Sequence, residues 1–275
     1  MEFQDIIYEK YNGRAKITIN RPHKMNAFTN LTLNEMVIAL MDAWTDREIA
    51  AVIITGAGDV AFTTGGDQSI RTKDGYDVSG LKEAGPQLLE KLTMPNLHAY
   101  LLQTIRNVPK PVIAAVNGYA IGGGHVIHVV CDMSIAASTA KFGQVGPKVG
   151  SFDAGYGSAY LARVVGEKKA REIWYMCKRY TAEEALQMGL VNAVVPPEKL
   201  MEETDKWIDI LLERSPTSLG ALKMSFNADS DSVWGIHTMA GVALDLYYGT
   251  DEAMEGKTAF LEKRPPNYSP YRKNR

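Results

Sequence analysis

The chain has 275 residues, of which 45% are hydrophobic and 23% are charged. This composition excludes an intrinsically disordered chain and fits a soluble globular protein with a large core. The formal net charge of −2 gives no general attraction to nucleic acid. The acidic start, Met1 to Asp5, lacks the basic region and apolar stretch of a secretory signal. We therefore expect a cytoplasmic protein that binds neither nucleic acid nor a membrane.

Strands and helices alternate along the first two thirds of the chain. Apolar runs predict strands over 6–8, 15–19, 51–55, 112–116, 132–136 and 191–195. Apolar residues at helical spacing predict helices over 29–44, 97–105, 126–130, 163–177 and 182–188. From residue 200 to about residue 260 the pattern is mostly helical. An α/β core over residues 1–200 and a helical region with a basic tail over 201–275 are expected.

Residues 71–95 interrupt this alternation. They are rich in Gly, Lys and Asp, which is typical of a mobile surface segment. We expect a surface insertion here.

Two glycine-dense turns each follow an apolar run that predicts a strand. The first is Thr63-Thr64-Gly65-Gly66-Asp67-Gln68, and the second is Ile121-Gly122-Gly123-Gly124-His125. Glycine allows close backbone approach, and N–H groups aimed at one oxygen stabilise developing negative charge by roughly 3–4 kcal/mol per donor. Either turn alone could be a tight strand-to-helix connection. Together they indicate an oxyanion hole, and therefore enolate chemistry on an acyl group.

Several segments, in this order and at this spacing, resemble the crotonase (enoyl-CoA hydratase/isomerase) superfamily. They are Arg21-Pro22, Met25 to Phe28, Thr64 to Asp67, Pro109 to Val112 and Gly122 to Gly124. The resemblance covers essentially the whole chain. It implies a ββα spiral core with a C-terminal helical trimerisation region, assembly as a homotrimer or homohexamer, and acyl-CoA thioesters as substrates.

By this resemblance, the backbone N–H groups of Gly66 and Gly123 hold the thioester carbonyl. The second group lies at a helix N-terminus, whose dipole also favours negative charge. The positions that the resemblance implies for CoA binding are Lys24, Ala27, Asp67, Gln68 and Ser69. CoA is part of the substrate, so no separate cofactor is expected.

Two positions depart from the hydratases of this superfamily. Hydratases place one catalytic glutamate two residues after the position of Gly124 and a second just after the Phe-Gly-Gln-like segment. Val126 and Gly146 stand there in this chain, and neither side chain can transfer a proton. Simple hydration of an enoyl-CoA is therefore not the expected activity.

The segment from Phe142 to Gly157 resembles two branches of the superfamily. One is 1,4-dihydroxy-2-naphthoyl-CoA synthase, which closes a ring by an intramolecular Claisen condensation. The other is 2-ketocyclohexanecarboxyl-CoA hydrolase, which opens a β-keto ring with water. Both reactions need a stabilised thioester enolate, so one oxyanion hole can serve both.

More details favour the hydrolase than the synthase. The segments that resemble the hydrolase are Thr64 to Ser69, Gly143 to Gly146, Glu167 to Tyr180 and Leu246 to Tyr248. Val145 stands where the synthase commonly has a threonine that helps to hold a bicarbonate base, so bicarbonate is not expected. The segments Gly124 to Asp132 and Val149 to Asp153 look more like the synthase, which remains the alternative.

Three side chains are candidates for the ring-opening chemistry. Asp153 is the candidate general base or water-orienting group, with Ser151 as a hydrogen-bond relay. Tyr248 would supply a proton or anchor the ketone, and the resemblance implies that it enters from a neighbouring subunit. Each has a plainer interpretation: the aspartate as a cap or turn residue, the serine as a turn hydroxyl, and the tyrosine as half of a packing pair with Tyr247.

Other interpretations are less favoured. His125 and His128 are three residues apart on one predicted helix and Asp132 is four further on, but no further ligand with matching spacing is apparent, and core histidines are commoner than metal ligands. Gly56 to Ala61 mimics part of a dinucleotide fingerprint but leads into the first glycine turn instead of a helix. Cys131 and Cys177 lie in apolar segments and are expected to be buried thiols. A non-catalytic crotonase-fold protein, such as an RNA binder, would lack the two glutamates as well, but no basic stripe supports it.

Overall fold

The protein is described by a computed structural model over residues 2–73, 75–76, 94–153 and 156–272. The strands are β1 (Ile6–Tyr11), β2 (Arg14–Ile19), β3 (Ala51–Gly56), β4 (Ala61–Thr63), β5 (Arg71–Thr72), β6 (Gly75–Tyr76), β7 (Val112–Val116), β8 (Tyr119–Ile121), β9 (Met133–Ala137), β10 (Lys141–Gly143), β11 (Tyr180–Thr181) and β12 (Ala193–Val195). The helices are α1 (Asn30–Thr45), α2 (Met94–Asn107), α3 (Gly123–Val130), α4 (Gly157–Val165), α5 (Glu167–Met176), α6 (Ala182–Gln187), α7 (Leu200–Leu212), α8 (Pro216–Ala228), α9 (Trp234–Tyr248) and α10 (Asp251–Leu261).

The chain winds through two sheets in a regular spiral. One sheet has the strand order β1-β2-β3-β7-β9-β12, and the other has the order β11-β10-β8-β4. Each turn of the spiral places one strand in the first sheet and the next in the second: β3 then β4, β7 then β8, β9 then β10. A helix follows each such pair. The predicted crotonase-like α/β fold is thereby confirmed.

The central strands of the first sheet form the interior of the molecule. Every residue of β3 and of β7 is buried. Parallel strands covered on both faces are apolar along their whole length rather than alternating. The continuous apolar runs of β3 and β7 therefore predict buried strands. Each of these strands is followed by the short strand, β4 or β8, that leads into a glycine turn.

The loop before α1 ties the first glycine turn to the sheet. Asn26 is fully buried and adopts a left-handed conformation, with φ +54°, that asparagine tolerates better than most residues. Its side chain accepts a hydrogen bond from the Arg21 N–H at 3.0 Å and donates to the carbonyls of Ala57 and Ala61 at 2.9 and 2.7 Å. The Asn26 side chain thus holds this loop against the chain between β3 and β4.

A buried arginine joins the C-terminal helices to the core. Arg71 is 1% exposed and donates to the carbonyl oxygens of Val149, Gly150 and Ala253 at 2.8, 3.1 and 3.0 Å. The expectation of a surface insertion over 71–95 is therefore wrong at its first residue, because this guanidinium has three buried carbonyl partners. Residues 71–72 and 75–76 form the small β5–β6 hairpin, whereas residues 77–93 lie outside the described residues.

Two further differences from the predicted elements have local causes. The helix predicted over 163–177 is two helices, α4 and α5, because Gly166 between them has φ +80°. The second sheet was not predicted, since its strands are two or three residues long. No helix in the described part of the chain has the length and apolar character needed to cross a membrane.

Candidate active site

One cavity of about 570 Å³ lies between the two glycine turns, the loop before α4 and the C-terminal helices. The ten residues singled out from the sequence all line it: Lys24, Ala27, Gly66, Asp67, Gln68, Ser69, Gly123, Ser151, Asp153 and Tyr248. These positions are spread over more than two hundred residues of sequence. The spiral fold thus brings them to one site.

Gly66 lines this cavity, and its backbone N–H points away from its bridge partner Phe28. It forms an isolated parallel bridge with Phe28, in which the Phe28 N–H donates to the Gly65 carbonyl at 2.9 Å and the Asp67 N–H donates to the Phe28 carbonyl at 3.0 Å. In such a bridge the neighbours of the central residue make the bonds, and the central residue's own N–H points to the other side. That leaves the Gly66 N–H available to a ligand.

Gly123 supplies the second donor. It is the first residue of α3, so its N–H has no acceptor within the helix. The two turns are in contact: a Cβ added to Gly65, which has φ +86°, would lie 3.0 Å from the Gly123 nitrogen. In the described residues, neither the Gly66 nor the Gly123 N–H donates to a protein acceptor. Two unpaired donors from adjacent turns are what an oxyanion hole requires.

The two hydratase glutamate positions contain no acid. Val126 and Gly146 both line the cavity and both are buried. Among the described residues, the acidic side chains that line the cavity are Asp67 and Asp153. Proton transfer by carboxylates at the hydratase positions is therefore excluded.

Asp67 is engaged in structural contacts at the rim of the first turn. Its carboxylate accepts hydrogen bonds from the Ser69 N–H at 3.0 Å and the Ser69 hydroxyl at 2.6 Å, and it pairs with Arg21 at 3.3 Å. Burial alone would raise the pKa of Asp67, but these Ser69 hydrogen bonds and the Arg21 charge outweigh it, and the pKa is lowered. Asp67 is thus an ionised anchor of the turn.

Asp153 is a helix cap as well as a cavity residue. Its carboxylate accepts a hydrogen bond from the Gly157 N–H at 3.0 Å and a short one from the Ser158 N–H, both in the first turn of α4. Aspartate is a favoured residue for this contact. The cap interpretation that the sequence left open therefore holds, and a role in proton transfer would have to coexist with it.

Ser151 and Tyr248 form a hydroxyl pair, with their oxygens 2.9 Å apart. The Tyr248 side chain is buried, and the Arg71 guanidinium lies 4.7 Å from the centre of its ring. Burial raises the pKa of Tyr248, while the Ser151 hydrogen bond and the Arg71 charge act in the opposite direction. The phenol therefore keeps its proton at neutral pH.

The expected origin of Tyr248 is corrected by this contact. The family resemblance implied that the tyrosine enters from a neighbouring subunit, but here Tyr248 reaches Ser151 of its own chain. The reason is the return of α9 and α10 across the cavity, where Arg71 attaches α10 to the loop that carries Ser151. Assembly is therefore not needed to bring this hydroxyl to the site.

Two polar residues extend the hydroxyl pair toward the first turn. The Tyr76 ring packs edge-on against Tyr248 at 5.8 Å, and the Gln68 amide donates to the Tyr76 hydroxyl at 2.7 Å and to the Gly66 carbonyl at 3.2 Å. Tyr76 was missed from the sequence because it lies in a segment without periodicity. His98, on α2, also lines the cavity and was not predicted. Its position beside the apolar Leu97 and Leu101 indicated a polar side chain on the buried face of the helix.

Val145 and the two histidines of α3 are the positions that the sequence raised for a bicarbonate or a metal ion. Val145 lines the cavity and packs toward Gly122, with no hydroxyl to offer. His125 and His128 lie behind the wall, where Nδ1 of the first is 3.2 Å from the Gln144 amide nitrogen and Nδ1 of the second is 3.2 Å from the Ser134 hydroxyl. Burial lowers the pKa of His125 to about 3 and that of His128 well below its ordinary value. Both are neutral core histidines.

The whole chain is similar to known acyl-CoA hydratases. Its sequence matches the Enoyl-CoA hydratase/isomerase family over residues 9–271. An enoyl-CoA hydratase from Mycobacterium avium subsp. paratuberculosis has 27% identity and a TM-score of 0.83, with 98% of this chain and 100% of that one covered. A carnitinyl-CoA hydratase from Mycobacterium avium has 28% identity and a TM-score of 0.82, with the same coverage. An enoyl-CoA hydratase subunit from Geobacillus kaustophilus has 30% identity and a TM-score of 0.71, with coverages of 98% and 99%.

Proposed function

Because the chain belongs to the crotonase (enoyl-CoA hydratase/isomerase) family, whose members are enzymes that act on acyl-CoA, we propose that it opens the ring of an alicyclic β-oxoacyl-CoA by hydrolysis. 2-Oxocyclohexanecarboxyl-CoA is an example of such a substrate. The observation that carries the proposal is the composition of the cavity: Gly66, Gly123 and a partly buried Ser151–Tyr248 hydroxyl pair line it together, and neither hydratase position holds an acid.

The proposed reaction is a retro-Claisen cleavage. Water, after losing a proton to a base, adds to the ring ketone and gives a tetrahedral alkoxide. The bond between that carbon and the α-carbon of the thioester then breaks, and its electron pair passes into the thioester enolate. The former ketone becomes a carboxylic acid, and the enolate takes up a proton at the α-carbon. One water is consumed, and the product is a dicarboxylic acyl-CoA.

The chain's residues divide this work between them. The N–H groups of Gly66 and Gly123 stabilise the enolate oxygen, which carries the charge that develops as the C–C bond breaks. Tyr248 is protonated, so it can donate a hydrogen bond to the ketone or a proton to the α-carbon, with Ser151 as its partner at 2.9 Å. Asp153 is the proposed water-orienting base. Lys24, Ala27, Asp67, Gln68 and Ser69 are proposed to hold CoA along the rim.

The site residues fit two alternative reactions, the synthase reaction and hydration, less well. The synthase shares the enolate and the Ser151-to-Asp153 segment, but Val145 leaves no threonine hydroxyl for bicarbonate. The similar solved structures are named hydratases, and at 27–30% identity a common fold does not require a common reaction. The apolar Val126 and the bare Gly146 argue against hydration, since no carboxylate at those positions can deliver water.

A homotrimer, alone or paired as a homohexamer, is part of the proposal. Large apolar side chains on α8 and α9 are exposed in the single chain, among them Phe226 at 78% and Leu246 at 74%. Apolar surface of this kind commonly marks a subunit interface. Light scattering after size-exclusion chromatography should give three or six times the chain mass of 30.3 kDa. A monomer in solution would contradict this part of the proposal.

Mass spectrometry of the purified protein with three substrates tests the function. The tubes contain 2-oxocyclohexanecarboxyl-CoA, o-succinylbenzoyl-CoA with and without bicarbonate, and crotonyl-CoA. We expect the first acyl-CoA to gain one water, with turnover about 10²-fold slower in Tyr248→Phe. Loss of water from o-succinylbenzoyl-CoA would favour the synthase. Gain of water by crotonyl-CoA would favour a hydratase. If none of the three substrates reacts, the result would favour a substrate with a larger ring or a non-catalytic protein. It would count against the substrate proposed here.

A further inference from the structure

Phe28 contacts both turns that form the oxyanion hole. Its backbone makes the parallel bridge to Gly66, through bonds of 2.9 Å to the Gly65 carbonyl and 3.0 Å from the Asp67 N–H. Its ring lies against Gly123, where an added Cβ would be only 2.7 Å from the ring's outer carbon. A single residue therefore spans the gap between the two donors.

His98 completes this connection from the side of α2. Its ring is stacked on the Phe28 ring, with centroids 5.3 Å apart and an interplanar angle of 15°. Its Nε2 lies 3.3 Å from the Gly123 carbonyl oxygen. A carbonyl can only accept, so the tautomer that makes this bond carries its proton on Nε2. Both His98 and Phe28 are buried and both line the cavity.

We propose that Phe28 and His98 are a pair of positioning residues that fix the separation of the Gly66 and Gly123 N–H donors. The Phe28 backbone sets the first donor, the Phe28 ring limits how closely Gly123 can approach, and the His98 bond holds the Gly123 carbonyl against that ring. This inference rests on the oxyanion hole of the proposed function and not on which ring is opened.

The geometry of the hole explains why such a pair is needed. The two donors belong to different turns of the spiral, and the pairing of β4 with β8 holds these turns side by side only up to Thr63 and Ala120, before Gly66 and Gly123 are reached. Both donors must lie about 2.7–3.1 Å from one oxygen, and a misplacement of about 1 Å can lower the rate about 10²-fold. A rigid aromatic ring between the turns adds a constraint at the donors themselves, beyond the last paired residues of the two strands.

The test compares four variants with the wild-type protein. Phe28→Leu removes the ring that spans the turns, and His98→Leu removes both the stacking and the hydrogen bond. His98→Gln restores an N–H that can donate to the Gly123 carbonyl. Phe142→Leu is the matched control, because Phe142 is a fully buried phenylalanine that packs on His128 at 5.0 Å and does not line the cavity.

Infrared spectroscopy measures the state of the hole directly. Cyclohexanecarboxyl-CoA labelled with ¹³C at the thioester carbonyl lacks the β-ketone, so it binds without being cleaved; labelled acetyl-CoA serves as a second probe with the smallest acyl group. In the wild type we expect the carbonyl stretch to move to lower wavenumber on binding. Phe28→Leu and His98→Leu should lose most of that shift, His98→Gln should regain part of it, and Phe142→Leu should keep it.

Turnover gives the second readout. We expect kcat for the ring substrate to fall about 10- to 100-fold in Phe28→Leu and His98→Leu, with KM changed less than about threefold, because the hole acts on the enolate more than on the bound substrate. A carbonyl shift equal to the wild-type value in both variants would overturn the inference, as would a wild-type protein that shifts neither probe. If the wild type shifts the probe but cleaves no β-oxoacyl-CoA, the proposed reaction fails and the carbonyl shifts of the variants alone decide the positioning role.

Discussion

The two sides of the cavity are built in different ways. The oxyanion wall, formed by the turns at Gly66 and Gly123, offers backbone N–H groups that belong to the spiral core. The C-terminal wall is built from side chains of distant segments: Tyr248, which α9 brings back across the site, Ser151 on the loop before α4, and the Arg71 guanidinium of β5. The first wall can recognise any thioester oxygen, whereas the second can act only on a group at one place on the acyl chain.

This difference accounts for the range of reactions that one fold can support. A backbone hole stabilises the enolate whatever forms it, and so it fixes the class of intermediate. The side chains opposite decide whether the carbon skeleton is hydrated, closed or opened. In this chain the hydratase positions are Val126 and Gly146, and the polar groups are gathered on the C-terminal wall instead. Variants on the two walls should therefore have different kinetic signatures.

The largest effect is expected on the oxyanion wall. In Gly65→Ala the new Cβ would lie 3.0 Å from the Gly123 nitrogen, at a residue whose φ of +86° disfavours any side chain. Loss of one donor lowers kcat by about 10²–10³-fold. Gly58→Ala is the control, because Gly58 has φ +76° and open space around its Cβ position. Steady-state kinetics of the two variants separates the effect of backbone strain from the loss of an oxyanion-hole donor. Equal kcat values in Gly65→Ala and Gly58→Ala would argue against a catalytic role for the oxyanion wall.

The next effect is expected on the C-terminal wall. Tyr248→Phe keeps the ring over Arg71 but removes the hydroxyl that lies 2.9 Å from Ser151. Loss of a proton donor at this site should lower kcat by about 10²-fold. Tyr247→Phe is the neighbouring control, since Tyr247 packs against Phe152 at 5.5 Å and does not line the cavity.

The same tyrosine gives the two walls different pH dependences. Burial raises the pKa of Tyr248 above its ordinary value of 10. Any loss of rate that depends on this hydroxyl should therefore have its midpoint above pH 10 and be absent from Tyr248→Phe. An alkaline limb with a midpoint below pH 10 that disappears in this variant would contradict the environment described for the phenol.

The sequence predicted the oxyanion wall better than the C-terminal wall, and the reason is physical. Glycines after fully apolar strands are a local pattern, because the turn and the strand that positions it are adjacent in sequence. The C-terminal wall depends on contacts between distant segments, such as Arg71 with Ala253 and Tyr76 with Tyr248. No local periodicity encodes them, and the short strands β8 and β10 were missed for the same reason. Only the resemblance to a family pointed to Tyr248, and the structure corrected the chain from which it comes.

A smaller effect distinguishes the two interpretations of Asp153. Asparagine has one carbonyl oxygen, so Asp153→Asn should keep only one of the two bonds to α4 while removing the negative charge. If the carboxylate orients or activates water, kcat falls at least about 10-fold, whereas the loss of one bond alone lowers only the melting temperature. Asp153→Ala should in addition lose about 1 kcal/mol of stability with the cap. Full turnover in Asp153→Asn would leave Asp153 as a cap only and move the base elsewhere on the C-terminal wall.

The smallest effect concerns His125, a buried histidine in the helix that begins at Gly123 of the oxyanion wall. The pKa of His125 is lowered by burial to about 3, against an ordinary value of 6.5 in the unfolded chain. Between these two values the unfolded state binds more protons than the folded state, so stability falls as the pH decreases from 6.5 toward 3. One such histidine costs about 1.4 kcal/mol for each pH unit within that window. Urea unfolding at pH 7 and pH 5 should show a smaller loss in His125→Asn, whose side chain can still reach Gln144 but does not titrate. Because His125 directly follows the glycines of α3, acid should weaken the oxyanion wall before the C-terminal wall, and an unchanged slope in His125→Asn would mean that another group controls the acid sensitivity.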